Sequence, residues 1–397
     1  MKIALLCSGL GNVYRGHEVF ARDLFSLLRD AVDITLFKGG GISAPQEQVV
    51  DNLPRNAPFL DHIHVSASPK WQASAKESER IRIEGVTFAY AALKPLLEGE
   101  FDVIHCLERD VCDVIYDHRH LFRSTPKILF SNGGAIPARD LPRCDFVQEH
   151  TDRNLQFSAK GKAFMIPHGV DLTRFHPGIE SDFRAQHGIP QEAFVVITVG
   201  TISYTHKRTD HIIKEIAAVK DAYLLVVGQE NQDTPNIKAL GQRLMGDRII
   251  FTKLCHSDLP KAYAAANIFT LGSVFETFGI VFVEAMAMGL PVICTNHVNQ
   301  RAIVKEGIFI DMTKPGALTQ ALRNTDRETL ILLGKRSREI ALAHYDLTVL
   351  KRQYLERYRI ISNATVSLPT FSLKKKIVSN IKNAIRNAAT LIFGRAE

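Results

Sequence analysis

The 397-residue sequence predicts an α/β protein of two doubly wound, Rossmann-like halves, each built on a parallel sheet. Three observations carry that prediction. Short apolar runs alternate with helix-period segments from the N-terminus onward, the signature of repeated βαβ units. One segment rich in turn residues, Ile166-Pro-His-Gly-Val-Asp171-Leu-Thr-Arg-Phe-His-Pro177-Gly, interrupts the alternation, which then restarts. The chain is also longer than one ordinary core accommodates, so two domains are expected.

In the first half, residues 1–172, strands are expected at Ile3 to Cys7, Ile34 to Phe37, Val103 to Cys106 and Ile128 to Phe130. Between the first two lies a helix from Val19 to Leu28, with Phe20, Leu24, Leu27 and Leu28 on one face. Residues 39–58, rich in Gly, Pro and Asn, read as a long loop near the top of this sheet. The second half, residues 178–344, opens on Ala193-Phe-Val-Val-Ile-Thr-Val-Gly200, a continuous apolar run of the kind a buried parallel strand shows. Further strands are expected at Tyr223 to Val227, Ile249 to Thr252, Ile268 to Leu271, Val292 to Cys294 and Ile308 to Ile310. Two such halves facing each other place a ligand in the cleft outside the carboxyl ends of their strands.

Composition narrows the class. Hydrophobic residues make up 46% and charged residues 23%, as in a soluble globular protein, and no apolar run approaches a membrane span. The six cysteines are scattered without metal-binding spacing, which points to a reducing, cytoplasmic setting. Cys7, Cys255 and Cys294 fall in apolar strand-like runs, where cysteine behaves as a small hydrophobe. Most of the net charge of +7 sits beyond residue 363, where Lys374, Lys375, Lys376, Lys382, Arg386 and Arg395 oppose Glu397 alone. A chain-wide nucleic-acid surface is therefore disfavoured. Within that 363–397 linker and tail, Leu373, Ile377, Ile381, Ala384, Ile385, Ala388 and Ile392 share one helical face. Residues 373–393 thus read as a basic amphipathic helix suited either to an anionic membrane surface or to docking on protein.

The stretch around which the chain is organised is Gly272-Ser-Val-Phe-Glu276-Thr-Phe278-Gly279-Ile-Val-Phe-Val-Glu284-Ala-Met-Ala-Met-Gly289-Leu-Pro291. It reads as a loop opening into a short helix that stops at Gly289. Glu284 stands alone among apolar neighbours, and unpaired burial of a carboxylate is costly, so it needs a partner or a ligand. About two turns separate it from Glu276, roughly 10 Å along the axis. Free amides and the positive helix end between them favour an anion. Carboxylate, amides and carboxylate in a row suit a sugar, a diphosphate and a ribose; a core helix with an incidental Glu is the plainer alternative.

Two further loops carry chemistry. Ser8-Gly9-Leu-Gly11-Asn-Val-Tyr-Arg-Gly16-His17-Glu18 lacks the G-x-G-x-x-G spacing of a nicotinamide site, but Gly11 and Gly16 permit close backbone approach to a ligand. Gly200-Thr201-Ile-Ser-Tyr-Thr-His206-Lys207-Arg208 puts two cations at a helix start, against the local dipole, as a bound diphosphate would explain. No Asp-x-Asp, Walker sequence or His/Cys cluster occurs, so no metal or other cofactor is expected.

Gly16-His17-Glu18, Ile166-Pro-His-Gly-Val-Asp171 with Phe175 and Pro177, Val199-Gly200 followed by Lys207, and Glu276-x-Phe278-Gly279 with Glu284 together resemble the family 4 retaining glycosyltransferases over roughly residues 1–360. The resemblance implies a GT-B fold with a helix over 345–362 crossing back onto the first domain. It implies that Glu276 contacts the donor sugar, that Phe278 and Gly279 offer amides near it, that Lys207 holds the diphosphate and that Glu284 binds ribose hydroxyls. Thr201 stands where that family usually has arginine, which leaves Arg208 as the candidate second cation. Asn132 stands where it commonly has histidine, able to hydrogen-bond a sugar but not to act as acid or base. Thr295-Asn-His297-Val-Asn-Gln300-Arg301 lacks the usual Gly-Gly and Pro-Glu. The implied reaction is retaining transfer from a nucleotide diphosphate sugar to a glycan or lipid-linked acceptor, as in cell-envelope polysaccharide or glycolipid synthesis. A 2-epimerase or phosphorylase of the same fold, or a non-catalytic sugar-nucleotide-binding protein, are the alternatives.

Overall fold

A computed structural model of the chain describes residues 1–13 and 15–366; the basic helix expected over 373–393 lies outside the described residues. The first sheet comprises β1 (Lys2–Cys7), β2 (Asp33–Lys38), β3 (Glu47–Val49), β4 (Val103–Cys106), β5 (Lys127–Ser131), β6 (Phe146–Glu149) and β7 (Ala163–Met165). All its pairings are parallel, in the order β3-β2-β1-β4-β5-β6-β7. The second comprises β8 (Val195–Val199), β9 (Tyr223–Val227), β10 (Ile249–Thr252), β11 (Ile268–Thr270), β12 (Val292–Thr295) and β13 (Ile308–Ile310), parallel in the order β10-β9-β8-β11-β12-β13. That is the doubly wound order 3-2-1-4-5-6, whose reversal between β8 and β11 opens a crevice at the carboxyl ends of the strands.

Helices cover both faces of each sheet. Around the first are α1 (Gly16–Leu28), α2 (Gln72–Gly99), α3 (Arg109–Asp117) and α4 (Asp152–Phe157). With the second come α5 (Phe183–Gln186), α6 (Thr209–Ala217), α7 (Thr234–Met245), α8 (Leu259–Ala264), α9 (Ile280–Ala287), α10 (Val298–Val304), α11 (Ala317–Asn324) and α12 (Arg327–His344). The last, α13 (Leu347–Ser362), returns to the first sheet and buries Leu350, Tyr354, Tyr358 and Ile361 in one core with Phe20, Leu24 and Leu28 of α1. Its tyrosines also bond beneath that sheet: Tyr358 Oη lies 2.7 Å from His105 Nδ1, and Gln148 Nε2 donates to Tyr354 Oη at 2.7 Å.

Three strands and the longest helix go beyond the sequence reading. β3 lies inside the expected 39–58 loop, β6 has two apolar residues followed by Gln148 and Glu149, and β7 is an apolar run of only three residues. α2 is 28 residues long and contains Pro95 close to its C-terminal end, where a lost amide bond disrupts little of the helix. Cys255 is a correction: it is exposed, beyond the end of β10, whereas Cys7 and Cys294 are buried.

The two links between the halves run side by side. Val170 N donates to Tyr345 O at 2.8 Å, and Leu347 N to Val170 O at 3.3 Å. Beside this seam, Ile280 at the start of α9 packs against the cores of both halves.

Candidate active site

The site is assembled at strand ends where glycines admit crowded neighbours. After β8, Gly200 has φ +151°, and a Cβ there would lie 3.0 Å from Lys207 Cε. The lysine stem is thereby laid across the strand end. Its Nζ reaches Glu276 Oε1 at 2.6 Å, and His206 Nε2 lies 3.2 Å from the same oxygen. Burial works to raise the Glu276 carboxyl, but the His206 bond and the Lys207 charge outweigh it and hold it down at about 2. Asn299 Nδ2 donates to Glu276 O at 3.2 Å and so fixes the loop backbone.

From Glu276 the loop turns through Gly279, in the left-handed region at φ +78°, into α9. Phe282 N donates to the N-cap carbonyl of Gly279 at 2.9 Å, and the helix start presents the positive end of its dipole next to Glu276. Phe278 is buried; its ring lies 4.8 Å from His168 and 5.9 Å from Tyr345. His168 in turn stacks on His150 at 3.8 Å, and Phe20 meets both edge-on. Burial pushes both imidazoles down, that of His150 to about 3, so this column between the halves is uncharged.

Glu284 is buried, as its setting foretold, and it has partners. His256 Nε2 lies 2.7 Å from Oε1, Tyr263 Oη donates to Oε2 at 2.9 Å, and Arg174 Nη2 lies 2.6 Å from His256 Nδ1. Burial foremost, and then the Glu284 charge, push the Tyr263 hydroxyl well up, so it remains a donor. Arg174, His256 and Tyr263 were not legible as site residues, since they come from three separate segments.

Two predicted residues are committed elsewhere. Arg208 caps α6 at φ +48° and donates through Nη1 to Met312 O at 2.6 Å and Gly272 O at 3.3 Å, tying neighbouring loops together. Asn132 is buried, and its amide donates to Ile136 O and Glu149 Oε1, each at 2.9 Å, while Oδ1 accepts from Ile136 N at 2.8 Å. Its side chain shapes the 132–136 turn.

The two glycines differ. At Gly11, φ +94°, a Cβ would meet Gly40 O at 2.2 Å, so the close approach there is to another loop of the chain. At Gly16 a Cβ would meet only Ile280 Cδ1 at 3.6 Å, which sets the start of α1 directly against the start of α9.

Beneath this junction lies an ion cluster. Arg55 pairs with Glu84 through Nε and Nη2, both at 2.8 Å, and lies 3.8 Å from Glu18. His17 Nε2 lies 3.2 Å from Glu108 Oε1, an oxygen that also accepts from Ser8 N and Oγ. Burial lowers His17, but the Glu108 bond and charge outweigh it and raise it above its ordinary value. Cys7, His17 and Glu108 bring one ligand atom each within 4.8 Å, a grouping no sequence spacing announced. The Glu108 oxygen facing His17 is already saturated by protein donors.

Residues 193–325 match the family model described as glycosyl transferases group 1. Among curated relatives, D-inositol 3-phosphate glycosyltransferase 1 of Catenulispora acidiphila is 30% identical over 42% of this chain and 44% of its own length. Mannosylfructose-phosphate synthase of Agrobacterium fabrum is 34% identical over 34% of this chain and 32% of its own length. These matches thus span less than half of either relative. Among solved structures, sucrose-phosphate synthase from Thermosynechococcus elongatus superposes with a TM-score of 0.75 at 21% identity, over 92% of this chain and 100% of that one. Anabaena HepE, in complex with UDP-glucose, gives 0.68 at 17% identity, over 91% and 100%. Both show the fold. Residues 193–325 are therefore similar to the glycosyl transferases group 1, within a chain whose two-domain architecture is that of the GT-B fold.

Proposed function

We propose that the protein transfers a glycosyl unit from a nucleoside diphosphate sugar to a glycan or lipid-linked acceptor, with retention at the anomeric carbon and without a metal. One observation carries this reading: Lys207 and Glu276 meet at 2.6 Å beside the opening of α9, inside the matched segment. A diphosphate entering there competes with Glu276 for the lysine charge and finds the α9 amides next to it. Glu276, ionised across physiological pH, is then free to accept hydroxyls of the donor sugar. Fixed positive charge at the departing diphosphate supplies much of the rate in this scheme. The leaving phosphate oxygen takes the acceptor proton on the same face, so no separate protein base is required.

The nucleotide-sugar donor is supported by the UDP and UDP-glucose complexes of a protein of the same fold. Among the described residues no helix is long and apolar enough to cross a membrane. We place the protein in the cytoplasm, with the basic sequence 373–393 holding it to an anionic membrane surface near a lipid-linked acceptor. Vesicle sedimentation with and without residues 365–397 tests that placement; equal sedimentation refutes it.

The deciding experiment is a thermal-shift panel of UDP, GDP, ADP and their sugars, because a ligand of the native state raises its stability. The ligand that binds is then supplied with acceptors, and the anomeric configuration of the product is read by NMR. Absence of any nucleotide shift overturns the donor site. Conversion of donor without acceptor identifies an epimerase instead.

A further inference from the structure

Glu284 is held from two sides by groups that lie outside its helix. Arginine is a donor only, so the 2.6 Å contact with Arg174 Nη2 makes His256 Nδ1 the acceptor. The imidazole is then neutral with its proton on Nε2, aimed at Glu284 Oε1, 2.7 Å away. Tyr263 Oη donates to the other oxygen at 2.9 Å. These partners come from well-separated places: Arg174 from the segment joining the halves, His256 from the loop after β10, and Tyr263 from α8.

Two donors, one on each oxygen, fix the rotation of the carboxylate about its last bond. A carboxylate oxygen carries about two lone-pair sites, and each of these donors occupies one. One acceptor site therefore remains on each oxygen of this single carboxylate. That is the arrangement that receives two vicinal hydroxyls, and a ribose offers such a pair at O2′ and O3′. An unsupported Glu284 could satisfy its charge in several rotamers, only some of which would meet a diol.

We propose that His256, locked in its Nε2–H tautomer by Arg174, is the positioning residue that orients Glu284 toward the vicinal hydroxyls of a nucleoside ribose, with Tyr263 steadying the second oxygen. This rests on the donor-site reading above and extends it from the carboxylate to the residues that aim it. A site built to accept a hydroxyl discriminates against the analogue lacking it. The consequence is a ribose-over-deoxyribose preference that depends on residue 256 as well as on residue 284.

The test is calorimetry of UDP against 2′-deoxy-UDP, or of GDP against 2′-deoxy-GDP if the thermal-shift panel selects guanine. Wild type is expected to prefer the ribonucleotide about tenfold or more, the scale of one hydrogen bond to a charged group. Glu284→Ala should erase the preference and His256→Ala should remove most of it. His256→Gln, whose amide can donate to Glu284 and accept from Arg174, should restore it. A general loss of packing would weaken both nucleotides alike and leave the ratio standing. If Glu284→Ala loses the preference while His256→Ala keeps it, the positioning role is overturned and the donor site stands. If Glu284→Ala keeps the wild-type ratio, the ribose assignment itself fails. Should His256→Ala not fold, Arg174→Met frees Nδ1 and is expected to lower the preference; an unchanged ratio there overturns the tautomer lock.

Discussion

Lys207 Nζ and Glu276 Oε1 stand 2.6 Å apart, joined across 69 residues by the crossing of two strand ends. The side chain of Lys207 keeps 19% of its exposure while that of Glu276 keeps 6%, so the cation is the partner open to an incoming ligand. Replacing it with alanine removes charge from the proposed diphosphate position without opening a core cavity. Lys207→Ala is expected to lower kcat by about 10²–10³-fold, the cost of losing one preorganised stabilising group. Its far-ultraviolet circular dichroism should match wild type. Unchanged transfer would remove Lys207 from the site.

The same pair makes a pH prediction. Glu276 is held at about 2 in the folded protein against an ordinary 4.5. A depressed carboxyl contributes stability that is fully present above about pH 4.5 and is lost as pH falls toward 2. Lys207→Ala should therefore be less stable than wild type at pH 7, and the gap should narrow at pH 3 as the unpaired carboxyl takes up a proton. Urea unfolding at both values measures it; a gap independent of pH would show that Glu276 does not depend on the lysine.

Asn132 makes the opposite prediction, stability before chemistry. Its amide spans Ile136 and Glu149, and the hydroxyl of Ser158 donates to the same Glu149 oxygen. Burial foremost raises the Glu149 carboxyl, with the Asn132 and Ser158 bonds only partly offsetting it. Asn132→Ala strands these groups and should cost about 1–3 kcal/mol of unfolding free energy. With saturating substrates, kcat should stay within a few-fold of wild type. A large fall in kcat at wild-type stability would return Asn132 to the chemistry.

The contrast between Asn132 and Glu276 shows what the sequence could carry. Parallel strands buried on both faces leave continuous apolar runs, so β1, β4, β8 and β9 were legible, whereas β3, with its polar Glu47 and Gln48, and β7, only three residues long, were not. Glu284 was legible because a carboxylate inside an apolar helix must be compensated, yet the compensating Arg174, His256 and Tyr263 lie far along the chain, where no local pattern points to them. Side-chain direction at a strand end is likewise a tertiary property: Asn132 follows β5 and turns inward, while Lys207 is steered outward by the glycine at 200.

Asp23 of α1 sits near the cluster of Arg174, His256 and Glu284. Burial foremost raises its carboxyl from 3.8 to about 6, with the Arg174 charge offsetting part of the rise and the Glu284 charge adding to it. The folded state therefore holds this proton more tightly than the unfolded chain does, and ionising it costs stability as pH climbs from about 4 to about 6. Asp23→Asn should gain stability relative to wild type at pH 7, of order 1–3 kcal/mol, and show no gain at pH 4. Thermal unfolding across that range checks the sign; a loss at pH 7 would mean that the attraction to Arg174 outweighs burial.

Gly279 and Gly16 stand at the starts of α9 and α1 and should respond differently to alanine. At Gly279 the backbone is left-handed, φ +78°, and a Cβ would lie 2.7 Å from Phe282 Cδ2 in a ring that is 1% exposed and has nowhere to move. The conformation costs an alanine roughly 1–2 kcal/mol and the overlap adds about as much again. Glu276 lies three residues before this turn, so a backbone that leaves φ +78° to relieve the clash carries the carboxylate loop with it, and donor affinity should fall together with stability. Gly16→Ala meets nothing nearer than Ile280 Cδ1 at 3.6 Å, an ordinary contact at the first position of a helix, and should leave stability within about 0.5 kcal/mol of wild type. If Gly16→Ala nevertheless weakens donor or acceptor binding, the lost space belongs to a ligand, since no part of the protein competes for it; unchanged binding would remove Gly16 from the substrate surface.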